Sequence, residues 1–266
     1  MKKYEFTGET LKVEEHTLYR IMALIDIPKF KVKAGSLGGW VEKEENLSQT
    51  GNAWVADNAR VYGDARVHGD AWVSDNAMVY DKAEVSENAW IYGDAEVYDY
   101  AMVFGNARVY DDAAVFDNAH VYGNAHVYGD AGVFGEGQVF GNANVYDGCM
   151  ITDNSCVYGN AKVYGIAVLG NSAEVYGDAQ VYGAARICSN ADIESNYEML
   201  YISDIGADGD STTFYRCGDD TIDVTCGKFA GTIDEFKKVV NDTYGDSRFA
   251  KEYNLAIRLA KVHILK

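Results

Sequence analysis

The sequence predicts a mainly β protein built around a β-solenoid, and three observations carry that prediction. An aliphatic residue recurs every six positions from Val55 to Ile193, 24 times without an insertion or deletion. Two residues before each stands a small one, alanine throughout except at Gly137, Cys149 and Ser155. The two positions that follow each hexad's strand are mostly Gly, Asp or Asn. No helical period sets aliphatics at a strict six with alanine at four.

Each hexad then has a physical reading. A short strand turns its aliphatic residue inward, so the residues on either side of it point outward. Glycine, aspartate and asparagine tolerate the left-handed backbone that a corner needs, and alanine occupies the corner where nothing larger fits. Three hexads make an 18-residue coil, so the repeat builds about eight coils. At about 4.8 Å per coil the rod is roughly 38 Å long. One proline (Pro28) against 27 glycines suits such a chain, because proline cannot donate to a strand ladder.

The pattern aliphatic-x-(Gly/Asp)-(Asn/Asp)-Ala-x resembles the hexapeptide-repeat superfamily. That resemblance implies a three-sided left-handed β-helix over residues 51–196, and the handedness comes from it alone. The stretch Val32–Leu47, followed by Gly-Asn-Ala-Trp-Val, is similar to the opening of hexapeptide-repeat proteins from bacteria and their phages.

Residues 1–50 read as an N-terminal β cap, with strand character at Tyr4–Phe6, Thr17–Ile25 and Phe30–Val32. Val41 and Leu47, six apart, start a first imperfect coil. An open solenoid end needs such a cover, since its terminal strand offers unpaired edges. Residues 197–266 read as a small α+β module. Strands are expected at Thr212–Cys217 and Thr221–Cys226, and Thr232 and Glu235 form a capping box that opens a helix ending near Thr243. Gly245 stops it. Asp246 is expected to cap a second helix with Phe249, Tyr253, Ala256, Ile257 and Ala260 on one face.

The unbroken period assigns every outward residue to a side. The first side carries a tryptophan ladder, Trp54, Trp72 and Trp90, and a tyrosine ladder, Tyr92, Tyr110, Tyr128, Tyr146, Tyr164 and Tyr182. Rungs about 4.8 Å apart let rings stack, which either stabilises the surface or makes an aromatic binding strip. On the second side Tyr62, Tyr80, Tyr98, Phe116 and Phe134 accompany Met78, Ala114, Gly132, Met150 and Val168. From Ala114 to Val168 no outward strand position is charged, the mark of an interface. The third side mixes Phe104, Tyr122, Phe140, Tyr158 and Tyr176 with charged and polar neighbours.

The corners are uneven. The one after the first side holds Asp57, Asp75, Asp94, Asp111, Asp112, Asp130 and Asp147. The one after the second holds Asp64, Asp81, Asp99, Asp117, Glu136 and Asp153, while the third has Asp70, Glu87 and Asp178. The chain's net charge of −18 argues against direct nucleic-acid or anionic-membrane binding and for basic partners. The 21 acids of the solenoid compare with about 22 phosphates on the same length of duplex DNA. A DNA-mimicking, phage-encoded inhibitor of a bacterial defence or nucleic-acid-binding protein is therefore one expectation.

The resemblance also brings an enzyme into view, since the superfamily includes trimeric acyltransferases that use an acyl-CoA and a histidine base. The candidates are His120 and His126, with His68 beside them. The rod lacks the interrupting loop common in those enzymes, and its acidic surface disfavours a polyphosphate donor. A zinc site from His120 and His126 is disfavoured because they lie on adjacent sides. Five cysteines without CxxC spacing read as reduced thiols, and no leader-like or membrane-spanning run is present. The expectation is a cytoplasmic, non-catalytic scaffold or interaction protein, without metal or cofactor. It self-associates as a dimer or trimer through the second side or the C-terminal module.

Overall fold

A computed structural model describes residues 2–264. The chain opens with an antiparallel hairpin, β1 (Tyr4–Val13) and β2 (His16–Ala23), followed by β3 (Leu37–Val41). Then come 24 two-residue strands, from β4 (Trp54–Val55) to β27 (Asp192–Ile193). Each but the last three pairs in parallel register with the strand 18 residues further on, as in Val55↔Val73, Val97↔Val115 and Val175↔Ile193. The result is three sheets, one per side, as the period predicts. The aliphatic residue and the small residue of the hexads are almost fully buried along the whole rod.

An irregular first turn precedes the eight regular coils. In it Val41 pairs with Val61 and Leu47 bridges to Val67. Because β3 joins the hairpin on one edge and Arg60–Val61 on the other, the second side's sheet runs on into the cap and reaches 11 strands. Gly38 is what allows this. A Cβ there would lie 2.6 Å from Ile21 Cγ1 and from Trp54 Cζ2, so any side chain would push β3 off the rod.

Two expectations about this end need correction. Phe30–Val32 is not a strand: Pro28–Phe30 forms a single 3-10 turn and Lys31 is left-handed, with φ 58°. Pro28 fixes its own φ and offers no N–H, which suits a turn and not a strand. Trp54 is not an outward rung either. It is 1% exposed, roofed by β2 and β3 in the same core as Tyr4, Ile21 and Ile27. Lys3 is buried beside it, and its Nζ donates to the Ala53 carbonyl at 2.7 Å. Burial lowers its pKa to about 8, against a smaller opposing pull from Asp70.

The C-terminal module is a four-stranded antiparallel sheet with two helices. Its strands are β28 (Met199–Ile205), β29 (Asp210–Arg216), β30 (Ile222–Cys226) and β31 (Phe229–Thr232). One face closes the rod, where Met199, Tyr215 and Cys217 join the solenoid core. Arg216 anchors it with a 3.0 Å bond to the Asp192 carboxylate and another to the Asp192 carbonyl. Behind the sheet lies a second core of Phe214, Val224, Phe236, Val240, Tyr253 and Ile257. Helix α1 (Ile233–Tyr244) has the Thr232–Glu235 capping box, with both reciprocal bonds made. Helix α2 (Arg248–His263) is capped by Ser247, whose hydroxyl accepts from Ala250 N, and not by Asp246. Its buried face is Ala250, Tyr253, Ala256, Ile257 and Ala260, with Phe249 half-buried.

Candidate functional site

The outward faces of the rod carry most of the candidate residues, and its three sides share one construction. Just past most of the two-residue strands stands an outward aromatic, and those rings stack. On the first side Tyr92, Tyr110, Tyr128, Tyr146 and Tyr164 have centroids 4.8–5.1 Å apart and nearly parallel planes. Tyr182 continues the column at 5.9 Å, and Tyr201 of β28 closes it edge-on at 5.8 Å. Tyr62, Tyr80, Tyr98, Phe116 and Phe134 form a second column with spacings of 4.9–5.1 Å, closed at the top by His16, 5.0 Å from Tyr62. The third column runs Phe104, Tyr122, Phe140, Tyr158 and Tyr176 at 4.8–5.0 Å. Such columns exclude water from one another's faces, and burial within them raises the phenol pKa at several rungs. Tyr62 and Tyr110 are pushed up to about 12, chiefly by burial. Tyr176 reaches about 12 mainly through its 2.8 Å bond to Asp192.

The tryptophans do not stack in this way. Phe30 of the cap wedges against Trp72 at 4.6 Å, and Trp72 and Trp90 are tilted by 38° at 6.2 Å. Trp90 is the exposed one, with the Arg108 guanidinium 5.7 Å from its ring. Stacking along one strand register requires identical rotamers, and the cap breaks that identity at the first rungs.

Many of the acids at the corners have a structural task. At the first corner position the residue is left-handed, as at Asp57, Asp75, Asp81, Asp99, Asp111, Asp117, Asp147 and Asp153. Its carboxylate accepts the backbone N–H of the same position one coil on. Asp75 takes Gly93 N at 3.1 Å, Asp117 takes Gly135 N at 3.0 Å, and Asp153 takes Asn171 N at 2.8 Å. Glu87 and Asp147 do the same for Gly105 and Gly165. Those N–H groups make no backbone hydrogen bond among the described residues. A carboxylate there therefore satisfies a donor the strand ladder leaves over.

At the second corner position other arrangements hold. Asp64 pairs with Lys43 at 2.7 Å, which pulls its carboxyl below the ordinary value. Asp94 ends an amide row by accepting from Asn76 at 3.0 Å. The carboxylates of Asp112, Asp130 and Glu136 have no hydrogen bond or ion pair among the described residues. Asp94, Asp112 and Asp130 lie above one another as an exposed acidic row on the edge bordering the second side.

The second side's apolar strip is continuous. Ala114, Gly132, Met150 and Val168 pair in register one above the next, with Phe116 and Phe134 beside them. Met150 is 42% exposed. Above the strip Met78 pairs with Glu96, which interrupts the apolar run. A second apolar row escaped the sequence reading. On the outer face of α2, Leu255, Leu259 and Val262 are 58%, 52% and 79% exposed. Their spacing of four and three was the signal for a second face; the buried face drew attention from it.

The histidines are dispersed. His120 stands on the third side between Met102 and Gln138, and His126 on the first between Arg108 and Asn144. Burial, with Arg108 adding to it, lowers the His126 pKa. His68 faces Glu84 at 2.9 Å. Among the described residues no group of three His, Cys, Asp or Glu side chains is placed to hold a metal. All five cysteines are free thiols, and burial pushes Cys149 and Cys217 up to about 12. No described helix is long and apolar enough to cross a membrane.

Against known families, a profile described as the YdcK beta solenoid repeat matches residues 53–69 and again 59–75, the first coils of the rod. That likeness covers a small part of the chain and supports a repeat β-solenoid protein. Comparison with curated proteins gives no match.

Proposed function

We propose that the chain is a non-catalytic scaffold of the hexapeptide-repeat type, working in the cytoplasm of a bacterium or a phage-infected cell. It self-associates through the second side. The observation that supports this best is the strip from Ala114 to Val168. Four successive rungs carry no outward charge, on a molecule whose net charge is −18. Acidic corners flank it on both edges, an apolar centre with a polar rim. The left-handed sense of the coils and the kinship with hexapeptide-repeat proteins belong to the same reading and draw on the strict six-residue period.

Charged substitutions test it. The triple variant Ala114→Asp, Gly132→Asp, Val168→Asp is expected to reduce the assembly to monomers by light scattering, with the far-ultraviolet spectrum unchanged. An unchanged mass would sink the assignment. The exposed row on α2 supports a second reading, in which the C-terminal module makes the contact. Leu255→Glu with Leu259→Glu is the matching variant, and whichever set of changes lowers the mass identifies the surface. The row Asp94, Asp112 and Asp130 favours a basic protein as a further partner. Capture from bacterial lysate at low salt, with loss at moderate salt, would support it.

A further inference from the structure

The second side's aromatic column stops early. The first column reaches the last coil at Tyr182 and the third reaches Tyr176, but after Phe134 the same position on the second side holds Thr152, Gly170 and Cys188. Small residues there leave a slot where rings would stand. The turn between β30 and β31 hangs over that slot, and together they enclose a cavity of about 460 Å³, within the range of small-molecule sites.

Val168, Ile187 and Phe229 give the cavity apolar walls, and two cations reach it, Arg186 from the last coil and Lys228 from the turn. Some cations on this acidic chain pair with carboxylates, as Lys29 does with Asp70, Lys33 with Asp26, Lys43 with Asp64 and Lys261 with Asp234. Arg186 and Lys228 have no carboxylate partner among the described residues. The one acid in the lining, Asp153, is engaged by Asn171 N at 2.8 Å. Arg186 is also held in place, since its carbonyl accepts from Thr225 Oγ1 at 2.6 Å and its N–H donates to Thr213 Oγ1 at 3.3 Å.

The geometry points to a binding site for a small aromatic carboxylate. Its ring takes the slot left by the missing rungs, and its carboxylate meets Arg186 and Lys228. A guanidinium and an ammonium lining one cavity are the donors such a group needs. The apolar walls supply the contact area, so a neutral ring should enter weakly and a cationic one should be refused.

The test is calorimetric titration of the full chain with 1-naphthoate, 1-naphthalenemethanol and 1-naphthylmethylammonium. The acid is expected to bind once per chain, at least about tenfold tighter than the alcohol, with affinity falling as salt rises. Arg186→Gln with Lys228→Gln, two exposed positions, should bring the acid down to the level of the alcohol. Gly170→Phe should fill the slot and abolish binding of both, its fold checked by melting. Because Val168 also belongs to the strip, the titration is repeated on Ala114→Asp, Gly132→Asp chains, where a second copy cannot cover the mouth. Equal affinity for acid and alcohol, undiminished binding by the Gln variant, or no heat with either form of the chain would overturn the site.

Discussion

At its N-terminal end the rod is closed by side chains that join its own core, whereas at its C-terminal end it meets a sheet with a second core behind it. Trp54, Tyr4 and Ile21 belong to the same buried cluster as the aliphatic residues of the coils. Phe214, Phe236 and Tyr253 form a cluster separate from it. The first closure cannot come undone without exposing the solenoid. The second can lose its helices and still leave Met199, Tyr215 and Cys217 over the last coil. Capping and having an independent core are thus distinct properties, and only one end combines them.

The largest test of that difference is a matched pair of cavities. Trp54→Ala and Phe236→Ala should each cost about 3–5 kcal/mol. Trp54→Ala is expected to lower the main melting transition of the rod. Phe236→Ala should split off an earlier transition that removes helical signal and leaves the β signal. If both variants melt in one identical step, the two ends are a single cooperative unit and the contrast fails.

Proton linkage sharpens the comparison next. Lys3 has a folded pKa of about 8, below its ordinary value, so the unfolded chain binds more protons between pH 8 and about 10.5. Stability from the N-terminal end should therefore rise over that window, and Lys3→Met should remove the rise. The columns act oppositely. Tyr62, Tyr110 and Tyr176 have folded values near 12; the stability they contribute is complete below about pH 10 and lost as pH climbs through 12. Phenolate absorbance and circular dichroism, followed together, should show these tyrosines titrating as the rod unfolds. If Tyr62→Phe or Tyr110→Phe removed absorbance that otherwise develops near pH 10 with the fold intact, the burial of those rings would be contradicted.

The smallest effect concerns the module alone. Thr232→Ala removes the cap of α1 and should cost about 1 kcal/mol, visible only in the earlier transition that Phe236→Ala exposes.

Most of the rod was legible in the sequence because its information is local and repeated. A six-residue period states the strand, the corner and the side of every residue, and 24 strands stand where 24 aliphatics predicted them. Contacts from distant segments were not legible. Trp54 reads as a ladder rung by register, and only the arrival of Ile21 and Gly38 from the cap makes it core. The strand Met199–Ile205 alternates weakly and follows the repeat directly, so nothing marks it as a new element. The shrinking series Thr152, Gly170, Cys188 could be read, but its roof comes from the turn beside Lys228, some forty residues beyond Cys188. Turn propensity explained the corner aspartates; their bonds to the next coil's N–H groups depend on the stacking itself.

The unbroken 18-residue coil makes the distance between the two ends a discrete quantity. Duplicating or deleting one coil would move the C-terminal module by about 4.8 Å along the axis and keep every face nearly where it was. Gaining a single hexad would instead transfer the module to the neighbouring side. A lineage carrying this gene could adjust the span between what binds at one end and what binds at the other in whole steps, like the notches of a ruler.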